Sequence, residues 1–535
     1  PPRSTLFPYT TLFRSKVLLI NPPYPFEESP TPPFGLMSLA AFLLEKGVET
    51  IIEDYIITPY SPARREKILR EFRPDVVGAT GVTMNIKKSL SILEDFKKNE
   101  PRLITVMGGP HVTFDAQNIL SDNPFVDYIV RGEGEITLTE MLSCLEAGGD
   151  MTSIEGISYR AGDRIVHNGD RPLIEDINIL PYPARHLVQT SKYKALGFPI
   201  NMVTSRGCPH KCIFCVGSRM VGRKVRYFSI ERVVDEFEML SKMGHKQINV
   251  VDDLFTSHKT RCIAICDEIM RRGITHPWTA FARVDTVSPE LLASLKRAGC
   301  TTLCFGVESG NQEILDLVKK KITLEKCRAA VDMCVEAGIE PMASYILGLP
   351  GETPETVRKT LEFAKGLCSS YGYHILAPFP GTEVREKKEE YGIRILTDDW
   401  DLYDANRSVA ESVTMPHQEI DRMVDEFNAA IGDYVREVLE TRKQGKTLNE
   451  KDETTFRNVR TFFINQDIIL KETFESYPGL NGTSTEEDLI RDLVRVIREG
   501  STFAEDDIRE ELQRLLAVGS VRISKNNNIM NIIWN

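Results

Sequence analysis

The sequence predicts an α/β chain in three parts: a doubly wound parallel sheet, a second set of alternating strands and helices, and a mainly helical tail. Three observations predict it. Short apolar runs alternate with amphipathic segments through two long stretches, and strands separated by helices form parallel sheets with right-handed crossovers. Glycine-rich turns follow the apolar runs of the first stretch, where ligands of such sheets bind. Beyond about residue 400 helical periodicity takes over from strand signals. A chain of 535 residues is too long for one core, so several domains are required.

The first stretch, residues 16–150, reads in order. Lys16–Ile20 is a buried strand ending in the turn Asn21-Pro-Pro; Gly35–Lys46 is an apolar-faced helix stopped by Gly47. Val48–Ile52 is a strand, Pro62–Phe72 a charged helix, Val76–Thr80 a strand, Ile86–Lys98 a helix and Leu103–Met107 a strand. Tyr128–Val130 is a fifth strand, and Leu138–Glu146 a closing helix. Glycine turns, Gly78-Ala-Thr-Gly81, Gly108-Gly109-Pro-His111 and Gly132-Glu-Gly134, stand at strand ends, where a missing Cβ lets backbone approach a ligand. Residues 151–195 are irregular and read as a linker that holds a small hairpin over Ile157–Val166. Pro1–Ser15 has neither helical nor strand logic, lacks the apolar core of a signal peptide, and reads as an artefactual leader resembling translated adapter sequence.

The second stretch, residues 196–400, holds strands at Ile200–Thr204, Gln247–Val251, Thr279–Arg283, Thr302–Phe305, Pro341–Leu347 and Tyr373–Ala377. Helices such as Ile230–Lys242, Lys259–Arg272 and Pro289–Ala298 lie between them. In residues 401–535, Ile420–Glu440 is an amphipathic helix, and Thr441–Asp452 is polar. Helices follow at Glu453–Asp467, Glu486–Glu499 and Glu505–Leu516, then a hairpin over Gly519–Ile533, in a winged-helix-like order. Acids crowd the last helix, which argues against DNA binding.

Composition narrows the function. Hydrophobic residues make up 41% and charged residues 27%, as in a globular chain. A net charge of −11 argues against a nucleic-acid protein that relies on bulk basicity. Eleven cysteines without disulfide-rich spacing point to a reducing compartment, hence the cytoplasm. The longest clean apolar run, Leu36–Leu44, is too short to span a bilayer.

The chemistry concentrates in Gly207-Cys208-Pro-His-Lys-Cys212-Ile-Phe214-Cys215. Three soft thiolates on one loop suit iron and leave one iron of a [4Fe–4S] cube open, since four cysteines normally complete such a cluster. A structural zinc site or buried free thiols are the alternatives, although zinc prefers four ligands in paired form. The Cys-x3-Cys-x2-Cys spacing, with Phe214 before the last cysteine, resembles the radical S-adenosylmethionine (SAM) signature. That resemblance implies a partial (β/α)6 barrel, SAM chelated by the open iron, and reductive cleavage of SAM to methionine and a 5′-deoxyadenosyl radical. A flavodoxin or ferredoxin would supply the electron. Site residues implied are Asp252 and Asp253 for the SAM amino group, Arg283 for its carboxylate, and Glu308 and Ser309 for the ribose. Ile346 and Gly348 would meet the adenine. Tyr373 and His374, on the sixth strand, are expected to face substrate.

Asn21-Pro-Pro, Gly108-Gly109-Pro-His111 and Arg131-Gly132-Glu-Gly134, ahead of this motif, resemble the cobalamin-binding domain of cobalamin-dependent radical SAM proteins. With Gly81 they are the cobalamin-contacting candidates. Asp-x-His-x-x-Gly, whose histidine ligates cobalt, is absent, so cobalamin is expected base-off without a protein histidine. The implied function is methylation of an unactivated carbon in a small-molecule or peptide substrate. Radical cyclisation or rearrangement without methyl transfer is one alternative, and a non-catalytic cobalamin or cluster sensor is another.

Overall fold

The computed structural model describes residues 15–26, 29–368, 370–526 and 528–535. The expected leader therefore lies outside the described residues except for Ser15, whose amide and hydroxyl donate to Glu146 at 2.8 and 2.6 Å. The chain divides into two compact units. One takes residues through Pro23, then Pro33–Tyr55 and Tyr60–Val188. The other takes Tyr24–Pro32, Ile56–Pro59 and Gln189–Asn535.

The first unit is built on β1 (Lys16–Asn21), β2 (Glu49–Asp54), β3 (Val76–Thr80), β4 (Ile104–Gly108) and β5 (Tyr128–Val130). These are parallel, and two antiparallel strands, β6 (Ile157–Ala161) and β7 (Arg164–His167), extend them to the order β2-β1-β3-β4-β5-β6-β7. Helices α1 (Phe34–Glu45), α2 (Pro62–Glu71), α3 (Ile86–Asn99), α4 (Pro110–Asp122) and α5 (Gly134–Glu146) connect the strands. The winding reverses between β1 and β3, which opens a crevice beyond their C-terminal ends. Two expectations need correction. Residues 151–188 are no linker: Ile157 pairs with Val130 and is fully buried, so this segment completes the sheet. Helix α4 was hidden because Gly-Gly-Pro reads as a turn, whereas Pro110 is its first residue, the one helical position that tolerates the missing N–H.

The second unit opens with α6 (Thr190–Ala195) and β8 (Ile200–Met202). A short antiparallel pair, β9 (Ser205–Arg206) and β10 (Arg226–Tyr227), brackets the cysteine loop and α7 (Gly217–Met220). Then come α8 (Ile230–Ser241), β11 (Ile248–Val250), α9 (Lys259–Arg271), β12 (Trp278–Ala282), α10 (Pro289–Arg297) and β13 (Cys300–Glu308). They are followed by α11 (Gln312–Leu317), α12 (Leu324–Glu336), β14 (Glu340–Leu347), α13 (Pro354–Leu367) and β15 (Ser370–Ile375). The large strands are parallel in the order β15-β14-β13-β12-β11-β8. Each strand therefore neighbours its successor, and right-handed crossovers place every helix on the same face. The result is an open, six-stranded half-barrel.

Alternation along the strands fixes which side chains meet the helices. Trp278, Ala280, Ala282, Leu303, Phe305, Val307, Ala343, Tyr345 and Leu347 are all buried. Trp278 stands edge-on to Phe237 of α8 and to Phe255, each at 5.6 Å, and its Nε1 donates to Ala298. Each such ring pair contributes about 1 kcal/mol beyond its burial.

The tail comprises α14 (Glu383–Glu386), the paired β16 (Ile393–Ile395) and β17 (Ala410–Ser412), α15 (His417–Lys443), α16 (Glu450–Leu470) and α17 (Thr473–Ser476). After β18 (Leu480–Asn481) come α18 (Glu486–Arg498), α19 (Glu505–Ala517), β19 (Val521–Asn526) and β20 (Ile529–Trp534), with β18-β20-β19 forming a sheet. The expected polar break lies at residues 444–449, between α15 and α16, narrower than the stretch Thr441–Asp452, with Asn449 capping α16 through the Asp452 amide. Arg514 donates to Ala195 O, Lys194 to Gly519 O, and Lys192 pairs with Glu475 at 2.7 Å. These residues precede β8, so α16–α19 brace the N-terminal end of the half-barrel, opposite the cysteine loop.

Candidate active site at the cysteine loop

The loop leaves β8 at the C-terminal end of the sheet. Gly207 has φ +118°, and a Cβ there would lie 2.6 Å from Lys224 O, so only glycine fits. The Cys208 amide donates to Gly222 O at 3.0 Å. Between the second and third cysteines, fully buried Ile213 sits in an apolar cluster with Ile314, Val318 and Leu349, and its amide donates to Val318 O. This anchor holds the loop while the thiols stay accessible: Cys208 and Cys212 are half-buried and Cys215 is exposed. Burial raises the Cys208 and Cys212 thiols, opposed at both by the charge of Lys320, and the Gly217 amide donates to the Cys215 sulfur at 3.3 Å. Among the described residues no three His, Cys, Asp or Glu side chains are grouped closely enough to hold a single metal ion. A cube takes each thiolate on a separate iron, and three free soft donors on one anchored loop fit it.

The two aspartates after β11 part company. Asp252 is buried and accepts from the Thr204 amide at 2.5 Å and from the Thr204 and Ser205 hydroxyls at 2.6 Å each. Burial raises its carboxyl, and those hydrogen bonds oppose the rise. It locks β11 to the root of the cysteine loop and is not available to SAM, which corrects the expectation. Asp253 points the other way, accepts from the Gly207 amide, and its charge reaches Cys208 and Cys215.

Glu308 ends β13 in a left-handed conformation, φ +70°, which costs a non-glycine residue about 1–3 kcal/mol. Its carboxylate is buried and pairs with Lys320 at 2.6 Å. The charge of Lys320 acts on both Cys208 and Cys212. Lys320 was missed in the sequence because it sits in a run of three lysines that reads as solvated surface. Arg283 is also committed: it forms two hydrogen bonds to Asp285, at 3.0 and 3.1 Å, and one to Lys320 O. Ser309 turns into the scaffold, within 3.2 Å of the Thr360 hydroxyl. The Gly348 amide is taken by Glu352, which also accepts from Leu349. Arg283, Ser309 and Gly348 thus shape the site through the backbone and neighbours rather than by free donors. Phe214 and Ile346 pack on one apolar cluster beside Ile213, which brings those two candidates together.

The inner face of the half-barrel follows from strand register. Thr279 lies beside Thr302; above them Phe281, Cys304, Met342 and Ser370 are in register; above these come Gly306, Ser344 and Gly372; Ile346 pairs with His374 at the rim. Phe281 is 47% exposed and Met342 38% exposed, unlike their buried neighbours in sequence. His374 is exposed on this face. Tyr373 is not: it packs with Leu347, Val357 and Ile375 under the helices and meets the Tyr345 ring at 5.7 Å. Tyr373 is a core residue, corrected from the expected substrate-facing role, because alternation puts it opposite His374.

In the first unit Gly81, Gly108, Gly109, Gly132 and Gly134 gather beyond β3, β4 and β5. Gly109, φ +98°, serves packing, since a Cβ would stand 2.7 Å from Thr80 Oγ1. Gly132 faces open space. These backbone-lined turns at the switch-point end fit a bulky planar ligand. Asn21 is spent on Asp54, to which its amide donates at 2.8 Å. His111 is buried, with Nδ1 3.2 Å from the Thr83 hydroxyl and Nε2 3.5 Å from Asp115. His167 and His186 also belong to this unit.

Comparison with known proteins agrees with this arrangement. The Radical SAM superfamily model matches residues 202–364, and the B12 binding domain model matches residues 28–142. An uncharacterized methyltransferase of Pyrococcus horikoshii is 36% identical over 72% of this chain and 86% of its own length. The hopanoid C-3 methylase of Methylococcus capsulatus is 26% identical over 70% and 72%. An anaerobic magnesium-protoporphyrin IX monomethyl ester cyclase of Rubrivivax gelatinosus is 28% identical over 74% and 73%. Among solved structures, the cobalamin-dependent S-adenosylmethionine radical enzyme OxsB shares the fold at TM-score 0.67 and 17% identity, over 94% of this chain and 84% of that one. TsrM from Kitasatospora setae does so at 0.62 and 21%, over 76% and 84%. Among the described residues no helix is long and apolar enough to cross a membrane. The chain belongs to the cobalamin-dependent radical SAM enzymes, a methyltransferase that works with a [4Fe–4S] cluster, SAM and cobalamin.

Proposed function

We infer that this enzyme methylates an unactivated carbon of an apolar small molecule held against the inner face of the half-barrel. The observation that carries the substrate class is the exposed level of Phe281, Cys304 and Met342. A soluble interior that faced a polar ligand would not leave two large apolar side chains in water. The smaller Gly306, Ser344 and Gly372 above them leave room between that wall and the cysteine loop. His374, at the rim, is placed to hold a polar end of the substrate or to move a proton.

When bound, the cofactors supply SAM cleavage and the methyl group; the protein supplies binding, orientation and electrostatics. Cys208, Cys212 and Cys215 would hold three irons. Asp253 and Lys320 are an acid and a base whose charges both reach Cys208, matching the amino and carboxylate groups of SAM. Glu308 orients Lys320. Phe214 and Ile346 offer an apolar surface to adenine. The reductant would be a flavodoxin or ferredoxin in the cytoplasm, a compartment supported by eleven cysteines that are all free thiols.

The test is anaerobic turnover of the reconstituted enzyme with methyl-labelled SAM and hydrophobic candidate substrates. Met342→Glu is expected to abolish labelled product while 5′-deoxyadenosine formation continues. Labelled product undiminished in that variant would remove the apolar wall from the substrate site. Product formed without label would favour radical cyclisation, the activity named in the cyclase relative.

A further inference from the structure

The chain is acidic, yet it contains no Asp or Glu between Asp176 and Glu231, the segment that includes the whole cysteine loop. Its lysines and arginines include two contrasting sets. Lys192, Lys194 and Arg226 are tied to internal partners. Lys211, Arg223 and Lys224 are exposed, and among the described residues none of the three is in an ion pair. They share one surface. Lys211 lies between Cys208 and Cys212, and the backbone of Gly222–Lys224 packs directly on Gly207 and Cys208. Exposed Lys321 joins them from the connection after α11, which packs on the loop where Val318 O accepts the Ile213 amide. Acids that approach this face are already occupied. Glu386 pairs with Arg219, Glu383 with Lys319 and Asp285 with Arg283, while Asp253 accepts the Gly207 amide.

We propose that Lys211, Arg223, Lys224 and Lys321 form the docking surface for a small acidic one-electron carrier protein that reduces the cluster. This rests on the radical SAM reading above. The physical case is charge complementarity beside the acceptor. With net charge −11 the molecule as a whole repels an acidic partner, so a local basic face must select where it lands, and such steering raises association rates roughly 10- to 1000-fold. Cys208 and Cys212 flank Lys211 on the same loop, and the Cys208 amide is bonded to Gly222 O beside Arg223, which places the acceptor next to that landing site. The step itself is one electron: the reduced carrier is oxidised by one electron, the cluster is reduced by one, and no bond or proton is exchanged.

The experiment uses the full-length, cluster-loaded enzyme and flavodoxin hydroquinone as the probe, with cluster reduction followed by stopped-flow absorbance. For wild type the rate should fall steeply between low and high salt. The K211Q/R223Q/K224Q variant should be reduced about tenfold more slowly at low salt, in line with lost steering, and should lose most of the salt dependence. K321E, which lies outside the cysteine loop, should give a smaller loss of the same kind. Reduction by dithionite, iron content and dithionite-driven 5′-deoxyadenosine formation should match wild type in both variants. An unchanged flavodoxin rate, a salt-independent wild-type rate, or an equal loss with dithionite would each overturn the proposal. Absence of 5′-deoxyadenosine from dithionite-reduced wild type would instead overturn the radical SAM reading, leaving the docking measurement readable from cluster reduction alone.

Discussion

At the residue scale, the site separates groups that hold cofactors from groups that hold the site. Cys212 is the central thiol, and its neighbour Ile213 fixes the loop. Cys212→Ala should cost most of the bound iron and all SAM cleavage, because two thiolates cannot retain a site-differentiated cube; iron assay and 5′-deoxyadenosine yield check this. Glu352 illustrates the second group. It is fully buried, one oxygen takes the Gly348 and Leu349 amides, and burial pushes its carboxyl up to about 8 from 4.5. The folded state then holds a proton that the unfolded chain releases. Its stabilising contribution is complete below about pH 4.5, and is lost as pH rises through about 8, by about 1.4 kcal/mol per pH unit in between. Glu352→Gln should flatten that part of the stability profile, measured by denaturant melts from pH 5 to 9.

At the element scale, the tail helices act as a brace. Lys192 is almost wholly buried, and Glu475 of α17 and Ile57 O are its partners. Glu511 is fully buried and satisfied by Thr461, Asn465 and Arg514. A chain stopped near Lys451 would leave Lys192 without its acid and strip cover from the segment before β8. Loss of a partner from a buried ion pair costs about 3–5 kcal/mol, so the truncated chain should aggregate or melt at lower temperature. Thermal scans against full-length protein decide this, and a truncated enzyme of undiminished stability would remove the bracing role of the tail. Element alternation also separates Tyr373 from His374. Tyr373→Phe should leave kcat within about twofold, the small effect expected of a substitution that keeps packing.

At the scale of the whole molecule, the first unit presents backbone-lined turns and no histidine in the cobalt-ligating pattern. His111 is turned into the fold towards Thr83, and His167, on β7, contacts Ser158 and Gln117. Cobalamin is therefore expected base-off with no protein nitrogen on its lower face. Electron paramagnetic resonance of the Co(II) form should lack strong nitrogen superhyperfine splitting. Splitting that vanishes in His111→Ala or His167→Ala would assign a ligand to that residue.

Local pattern alone determined the α/β class, the cysteine triad and the turns at strand ends, because each depends on residues adjacent in the chain. Cys208, Cys212 and Cys215 lie on one loop whatever the rest of the molecule does. Helix α4 escaped, since a Gly-Gly-Pro turn and a helix start look alike over three residues; the hairpin of β6 and β7 was legible, but not its joining the sheet, because its partner β5 is distant in sequence. Which acid serves and which braces was decided by tertiary structure. Asp252 and Asp253 are chemically identical neighbours, and only the position of Thr204 and Ser205, brought alongside by the pairing of β8 with β11, withdraws one of them. Lys320 became a site residue through Glu308, twelve positions earlier, across a connection that no periodicity reports. The apolar wall of Phe281 and Met342 exists only because three strands align in register and all their helices lie on the opposite face.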